Sequence, residues 1–231
     1  MTSTDRLRAA SAVGLLAEVG RFAARQQARP VVDPWLRRTR NLWLADLVVT
    51  ESRRRSVTRV LDVACGGTGY LGDAHLRLGR EHDLTITLVG RDRAELAYAA
   101  EVELPPAARP ETICAPIPAL AGVLRARTFD VVIAAGLVDR LDRASAVALL
   151  EVLAAATAPG GIVALTHLLC DGGSRVFRTE EEVARLFDGT DMRVRTTLSA
   201  NGSSVLAAAR RPYPPLPPGW YFPLLPVPRR R

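Results

Sequence analysis

The residues best placed to do chemistry run Val60-Leu61-Asp62-Val63-Ala64-Cys65-Gly66-Gly67-Thr68-Gly69-Tyr70. A carboxylate sits inside an apolar run that ends in a glycine-rich turn. Such a turn lets a ligand approach the backbone, and the helix it opens offers unpaired N–H groups. No GK[ST] follows it, which excludes a P-loop nucleotide hydrolase, and its glycines do not keep the GxGxxG spacing. Three more acids and one histidine follow apolar runs or border them. Asp92 closes Leu88-Val89-Gly90-Arg91-Asp92, and Asp130 lies in Phe129-Asp130-Val131-Val132, either as a cap or turn residue or as a site residue. Asp139, in Gly136-Leu137-Val138-Asp139-Arg140, either faces a cleft or belongs with Arg140 to a surface loop. His167 ends Gly161-Ile162-Val163-Ala164-Leu165-Thr166-His167, where it is either a base or positioning group, or a core or capping histidine. His75 and His82 fall on or after the first helix following the turn, facing away. No His, Cys, Asp or Glu trio has metal-ligand spacing, so no metal is expected. There is no nucleophile elbow, and all 31 basic residues are Arg, which removes lysine chemistry.

These residues need elements to hold them. The chain has 231 residues, 48% hydrophobic and 24% charged, enough for one domain with a proper core. Periodicity predicts two N-terminal helices, 5–28 and 33–50, the second capped by Asp33 before Pro34, with Leu36, Trp43 and Leu47 on its apolar stripe. A solvated connector, Ser52–Ser56, should follow. Strands are expected at 59–64, 84–89, 111–115, 129–135, 161–167, 191–198 and 203–209. Helices fit at 70–81, 93–103, 117–125, 143–157 and 179–187. Asp142 can cap the helix at 143, Pro159-Gly160-Gly161 can stop it, and Thr179 with Glu182 makes a capping box. Nearly all-apolar strands are covered on both faces, as in a parallel sheet, while Ala200-Asn201-Gly202 predicts a closing antiparallel hairpin. The expected fold is α/β, doubly wound, with a mostly parallel seven-stranded sheet. It divides into an N-terminal helical cap (1–56), a Rossmann-like domain (57–211) and a Pro-rich basic tail (212–231). That tail contains Trp220, Tyr221 and Phe222 and reads as a surface strap or disordered tail, or as a lid or homodimer arm.

Four landmarks in order, Leu61–Gly69, Leu88–Asp92, Phe129–Val132 and Ala158-Pro159-Gly160-Gly161, resemble the class I S-adenosylmethionine-dependent methyltransferases. The resemblance spans about 57–210 and implies S-adenosylmethionine as cofactor, with S-adenosylhomocysteine as product. It implies that Asp62 lies near the methionine portion, with Ala64, Gly66, Gly67 and Gly69 under the cofactor and Ala135 beside it. It gives Asp92 the ribose hydroxyls, where the alternative is an ordinary helix cap, and the ribose position can also fall on Gly90. The family's glycines fall two, four and six residues after the acid. Here those places hold Ala64, Gly66 and Thr68, with Gly67 and Gly69 alongside. The third-strand acid that reads adenine is absent from Ile113-Cys114-Ala115-Pro116, which leaves backbone groups for that task.

Methyl transfer relies mainly on alignment, with a base only where the acceptor must lose a proton. His167 and Asp139 are the candidates for that role. Trp35 and Trp43 suit the walls of an acceptor pocket, with Arg38 beside Arg37 and Arg40 for an anionic group; otherwise they are core anchors and a solvated face. Arg178 either clamps an acceptor carboxylate or pairs with the Glu180-Glu181-Glu182 run. Charge is uneven. Residues 1–60 hold 12 Arg and 5 acids, 61–209 hold 14 Arg and 19 acids, and 210–231 hold 5 Arg and no acid. The basic ends favour an RNA or ribosome methyltransferase; the acidic middle and the lack of an RNA module favour a small-molecule acceptor and speak against nucleic acid. A third reading is a methyltransferase-like fold serving another reaction or acting as a partner subunit. The all-Arg, Ala-rich composition associates the chain with GC-rich bacterial genomes and secondary metabolism. Three unpaired cysteines, Asp5 near the start and no long apolar run predict a cytoplasmic protein with no membrane span.

Overall fold

The computed structural model describes residues 34–63, 68–79, 82–169, 177–199 and 202–214. The expected helix at 5–28, the turn residues Ala64, Gly66 and Gly67, Asn201 and most of the Pro-rich tail lie outside them, as does the side chain of Trp35.

Helix α1 (Pro34–Ser52) leads into strand β1 (Val57–Val63), and α2 (Gly69–Leu78) into β2 (Asp83–Gly90). Then come α3 (Arg93–Tyr98), continued by a π turn (Ala99–Glu103), and β3 (Glu111–Cys114). Short α4 (Leu120–Val123) precedes β4 (Phe129–Ala135), and α5 (Arg143–Ala155) precedes β5 (Thr157–Leu168). Helix α6 (Glu180–Ala184) leads to β6 (Arg193–Leu198) and β7 (Ser204–Arg210). The seven strands form one sheet in the order β3-β2-β1-β4-β5-β7-β6. The first five are parallel, and β7 runs antiparallel to both β5 and β6. The doubly wound sheet closed by a hairpin is the architecture expected from the apolar runs.

Alternation along the central strands feeds two cores. Val60, Ile86, Leu88, Val131 and Ile133 face α1, α2 and α3. Leu61, Val63, Val89, Val132 and Ala134 face α5, α6 and the 120–124 segment. Chain order reverses between β1 and β4, and such a switch point opens a crevice at the carboxyl ends of the strands.

Five local expectations need correction. The apolar stripe of α1 is Leu44, Ala45, Val48 and Val49, all nearly inaccessible; Trp43 and Leu47 only flank it. The helix expected at 93–103 widens into a π turn after Tyr98. The 117–125 helix shortens to a 3₁₀ turn, Ile117–Ala119, and the single turn of α4. Helix α5 ends at Ala155, because Thr157 already pairs with Phe129; Pro159-Gly160-Gly161 lies inside β5, with Gly160 at φ 73°. The connector after α1 is not merely solvated. Ser52 is buried, Arg55 Nη1 donates to Asp130 Oδ1 at 2.9 Å, and its Nη2 donates to the Gly160 carbonyl at 3.1 Å. Asp130, which also accepts from the Arg59 backbone N–H at 2.9 Å, is thus a structural anchor at the amino end of the sheet. Two capping assignments hold, Asp142 Oδ1 accepting from Ser145 N at 2.8 Å and Thr179 with Glu182 forming the reciprocal box, while the third, Asp33, lies outside the described residues.

Candidate active site

Asp62 stands at the carboxyl end of β1, paired in register with Leu88 of β2 and Ile133 of β4, hence at the switch point. It is 2% exposed, and its Oδ2 meets no hydrogen-bond partner among the described residues. Burial pushes its pKa up to about 7. The Tyr70 hydroxyl pulls it down, Glu103 pushes it up, Arg40 lowers it and Glu95 raises it. Four elements therefore set the charge around one carboxyl: the first turn of α2, the π turn, α1 and α3.

Thr68 forms the entry to α2 and is fully buried, but its own side chain makes no cap. The Glu103 carboxylate does that work. Its Oε2 accepts from the Thr68 backbone N–H and, at 2.7 Å, from the Thr68 hydroxyl. A Cβ built on Gly69, the first residue of α2, would meet nothing within 4 Å among the described residues. Asp92 Oδ1 accepts from Ala94 N at 2.8 Å and Glu95 N at 3.4 Å, making Asp92 the N-cap of α3; its Oδ2 takes no part in that cap. The Gly90 carbonyl accepts from Ala115 N at 2.8 Å.

Across the crevice, β4 ends at half-buried Ala135. Gly136 follows at φ 64°, its N–H donating to the Thr166 carbonyl (3.1 Å) and hydroxyl (3.0 Å). A Cβ on Gly136 would lie 3.5 Å from Asp139 Oδ2 and 3.9 Å from Arg40 Nη1, ordinary contact distances, so it is the positive φ that favours glycine there. His167, at the end of β5, is 1% exposed. Its Nδ1 lies 2.5 Å from Asp139 Oδ1, and its Nε2 donates to the Phe177 carbonyl at 2.8 Å. The Phe177 ring meets the imidazole edge-on at 5.5 Å. Asp139 Oδ1 also accepts from Leu168 N at 3.0 Å. Burial alone would lower the His167 pKa. The Asp139 carboxylate, the Phe177 carbonyl and the Glu182 charge outweigh it and raise the pKa. An acceptor faces each ring nitrogen, an arrangement that suits imidazolium and leaves neither nitrogen turned toward an acceptor substrate.

The structure thus brings together Asp62, Gly69, Ala135, Asp139 and His167 of the expected residues, with Asp92 at the head of α3. Arg38 is exposed, Trp43 packs beside the α1 core, and Arg178 is exposed, its backbone N–H donating to Glu182 Oε2 at 2.7 Å. Arg40 reaches the crevice, its Nη1 3.9 Å from the Cβ position of Gly136, while the side chain of Arg37 lies outside the described residues. Sequence reasoning missed Glu103, Thr68 and Tyr70, because no periodicity signals a contact made by a π turn across 35 residues. His75 and His82 line a separate cavity of about 610 Å³ with Asp83, Pro105, Arg109 and Glu111, at the amino end of β2. Among the described residues no His, Cys, Asp and Glu group could hold a metal ion, and no helix is long and apolar enough to cross a membrane.

No family model and no curated protein matches the chain. Solved structures do. The chain is similar to the N-methyltransferase NodS from Bradyrhizobium japonicum WM9, at 17% identity over 79% of this chain and 99% of that one, with a TM-score of 0.55. It is similar to magnesium protoporphyrin IX methyltransferase ChlM from Synechocystis PCC 6803, solved with bound SAH, at 14% identity over 82% and 92% of the two chains and a TM-score of 0.58. A third is the CurJ carbon methyltransferase, at 15% identity over 74% of this chain and 54% of that one, with a TM-score of 0.61. At such identities the likeness shows the fold, which is that of these methyltransferases.

Proposed function

We propose that the protein is an S-adenosylmethionine-dependent methyltransferase acting on a small-molecule acceptor. The observation that carries this reading is the buried Asp62 carboxyl at the switch point, one oxygen without a partner among the described residues. An orphaned buried carboxyl oxygen is costly until a donor reaches it. Glu103 and Glu95 add negative charge around it. A cup of this sign suits a cationic ligand and repels a phosphate. Arg40 stands where it can meet a carboxylate on the same ligand, and the free edge of Asp92 is open to a pair of hydroxyls.

S-adenosylmethionine, when bound, supplies a methyl group made electrophilic by a sulfonium. Asp62 then binds and orients the amino end of that ligand, and Gly69 leaves it room. Asp139 and His167 hold the ends of β4 and β5 together. Because both nitrogens of His167 face acceptors within the protein, we read it as a positioning residue, and alignment as the main source of rate.

The run Arg53-Arg54-Arg55 lies at the amino end of the sheet, opposite Asp62, and is partly spent on Glu51 (Arg54, 3.1 Å) and Asp130 (Arg55, 2.9 Å). That placement weighs against an RNA substrate, which needs a basic surface around the site. We place the enzyme in the cytoplasm and in bacterial secondary metabolism, acting on an anionic small-molecule acceptor; a homodimer through the tail belongs to the same proposal. The test is a thermal shift with S-adenosylmethionine and S-adenosylhomocysteine. Ligand at a hundred times its Kd adds about 2.7 kcal/mol, several degrees for a chain of this size. No shift with either removes the proposal.

A further inference from the structure

The contact between the π turn and α2 is the least expected feature near the crevice. Glu103 reaches across 35 residues so that one carboxylate oxygen takes both donors of Thr68. Independently, a Cβ at Gly72 would come within 2.6 Å of the Glu103 carbonyl oxygen, so this close approach of the two backbones requires glycine on α2. The π turn is the means: one extra residue in the last turns of α3 swings Glu103 toward the glycine turn, and π insertions recur at functional sites. In nucleotide-binding folds the N–H groups at this helix entrance receive a ligand's phosphate. Here the chain's own carboxylate has taken that place.

We propose that Glu103 is the positioning residue of the α2 entrance, fixing Thr68 where other folds would bind phosphate and thereby selecting a cationic nucleoside over a phosphorylated one. The selectivity half rests on the methyltransferase reading; the hold on Thr68 does not. The Thr68 N–H and hydroxyl are spent on Glu103 and are not offered to a ligand anion, and the added negative charge beside Asp62 favours an ammonium or sulfonium.

The experiment compares wild type, Glu103→Ala, Glu103→Gln and Thr68→Val by calorimetric titration with S-adenosylmethionine and with AMP, alongside amide hydrogen exchange at Thr68. Glu103→Ala should lose the Thr68 protection and weaken S-adenosylmethionine about ten- to hundredfold, the loss typical of a charged hydrogen bond. Glu103→Gln keeps an acceptor, so it should restore protection while recovering only part of the affinity. Thr68→Val combined with Glu103→Ala should cost less than the two losses added. A Glu103→Ala protein that binds S-adenosylmethionine as wild type does, or keeps Thr68 protected, overturns the proposal. Should Glu103→Ala fail to fold, the Glu103→Gln and Thr68→Val pair decides by the same readouts. If wild type itself ignores S-adenosylmethionine, the functional reading falls, and exchange at Thr68 alone judges the hold.

Discussion

At the residue scale, Asp62 sets protein stability against ligand binding. Its folded pKa, about 7, stands well above the 3.8 of a free aspartate, chiefly because burial disfavours the charged form. A raised carboxyl pKa means the native state binds the proton more tightly. The associated stability is complete below pH 4 and is lost as pH climbs through 7. Three pKa units correspond to about 4 kcal/mol, an upper figure for what ionising this group costs the ligand-free fold. Asn is nearly isosteric and carries no charge. Asp62→Asn should therefore raise the melting temperature of the free protein at pH 8 by several degrees and change it little at pH 4. The same substitution should weaken S-adenosylmethionine by about tenfold or more, since a charge-assisted bond to the ligand is gone. In the wild type, affinity for this cation should rise with pH between 6 and 8 as the carboxyl ionises. Melting curves and titrations at the two pH values check both halves, and an Asp62→Asn protein that binds as well as wild type takes Asp62 out of the cup.

At the scale of elements, the ends of β4 and β5 are tied through Asp139 and His167, and β5 to the segment before α6 through the Phe177 carbonyl. The raised His167 pKa gives this tie a pH dependence of the opposite sense. Its stabilisation is complete below about pH 6.5, the free histidine value, and fades as pH rises through the folded pKa. Asp139→Asn leaves the imidazolium buried without its anion, a change that costs about 3 kcal/mol in comparable pairs. Urea unfolding should show that loss at pH 6 and a smaller one at pH 9; equal losses at both would mean that the pair is not charged. Elements of this kind were partly legible in the sequence. Apolar runs of five to seven residues marked the buried strands, and Asp142 and Thr179 marked helix starts, because those signals are local. Asp62, Asp139 and His167 were legible as residues at strand ends. Their partners were not, because Arg40, Glu103 and Phe177 arrive by tertiary packing. The stripe of α1 was misread for the same reason: which face is buried depends on where α2 and the sheet lie, and Leu44, Ala45, Val48 and Val49 take it from Trp43 and Leu47.

At the scale of the whole molecule, the question is whether α1 caps a domain or completes one. Leu44, Ala45 and Val48 are fully buried and Val49 nearly so, in the same cluster as Val60, Tyr70, Leu71 and Val131. The end of α1 is also tied to β7, with Arg210 Nη2 2.5 Å from Glu51 Oε1 and Nη1 3.0 Å from Oε2, and Arg210 donating to the Gly160 carbonyl at 2.8 Å. Glu51 is 3% exposed, so removing α1 would also leave Arg210 without its buried partner. Burying a Val or Leu side chain is worth about 1.5–3 kcal/mol. Leu44, Val48 and Val49 together then supply about 5–9 kcal/mol, against the 5–15 kcal/mol by which domains are typically stable. A chain beginning at residue 57 should consequently not fold: far-UV helicity should fall by more than the lost α1 accounts for, and the product should aggregate or lack a cooperative melt. The single substitution Val48→Ala is the gentler form of the same argument. It should lower stability by about 1–3 kcal/mol without changing the slope of urea unfolding, because the folded unit remains one cooperative body. A soluble 57–231 fragment with a sharp thermal transition would show that the sheet stands without α1, and Arg40 would then be carried to the crevice by a detachable element.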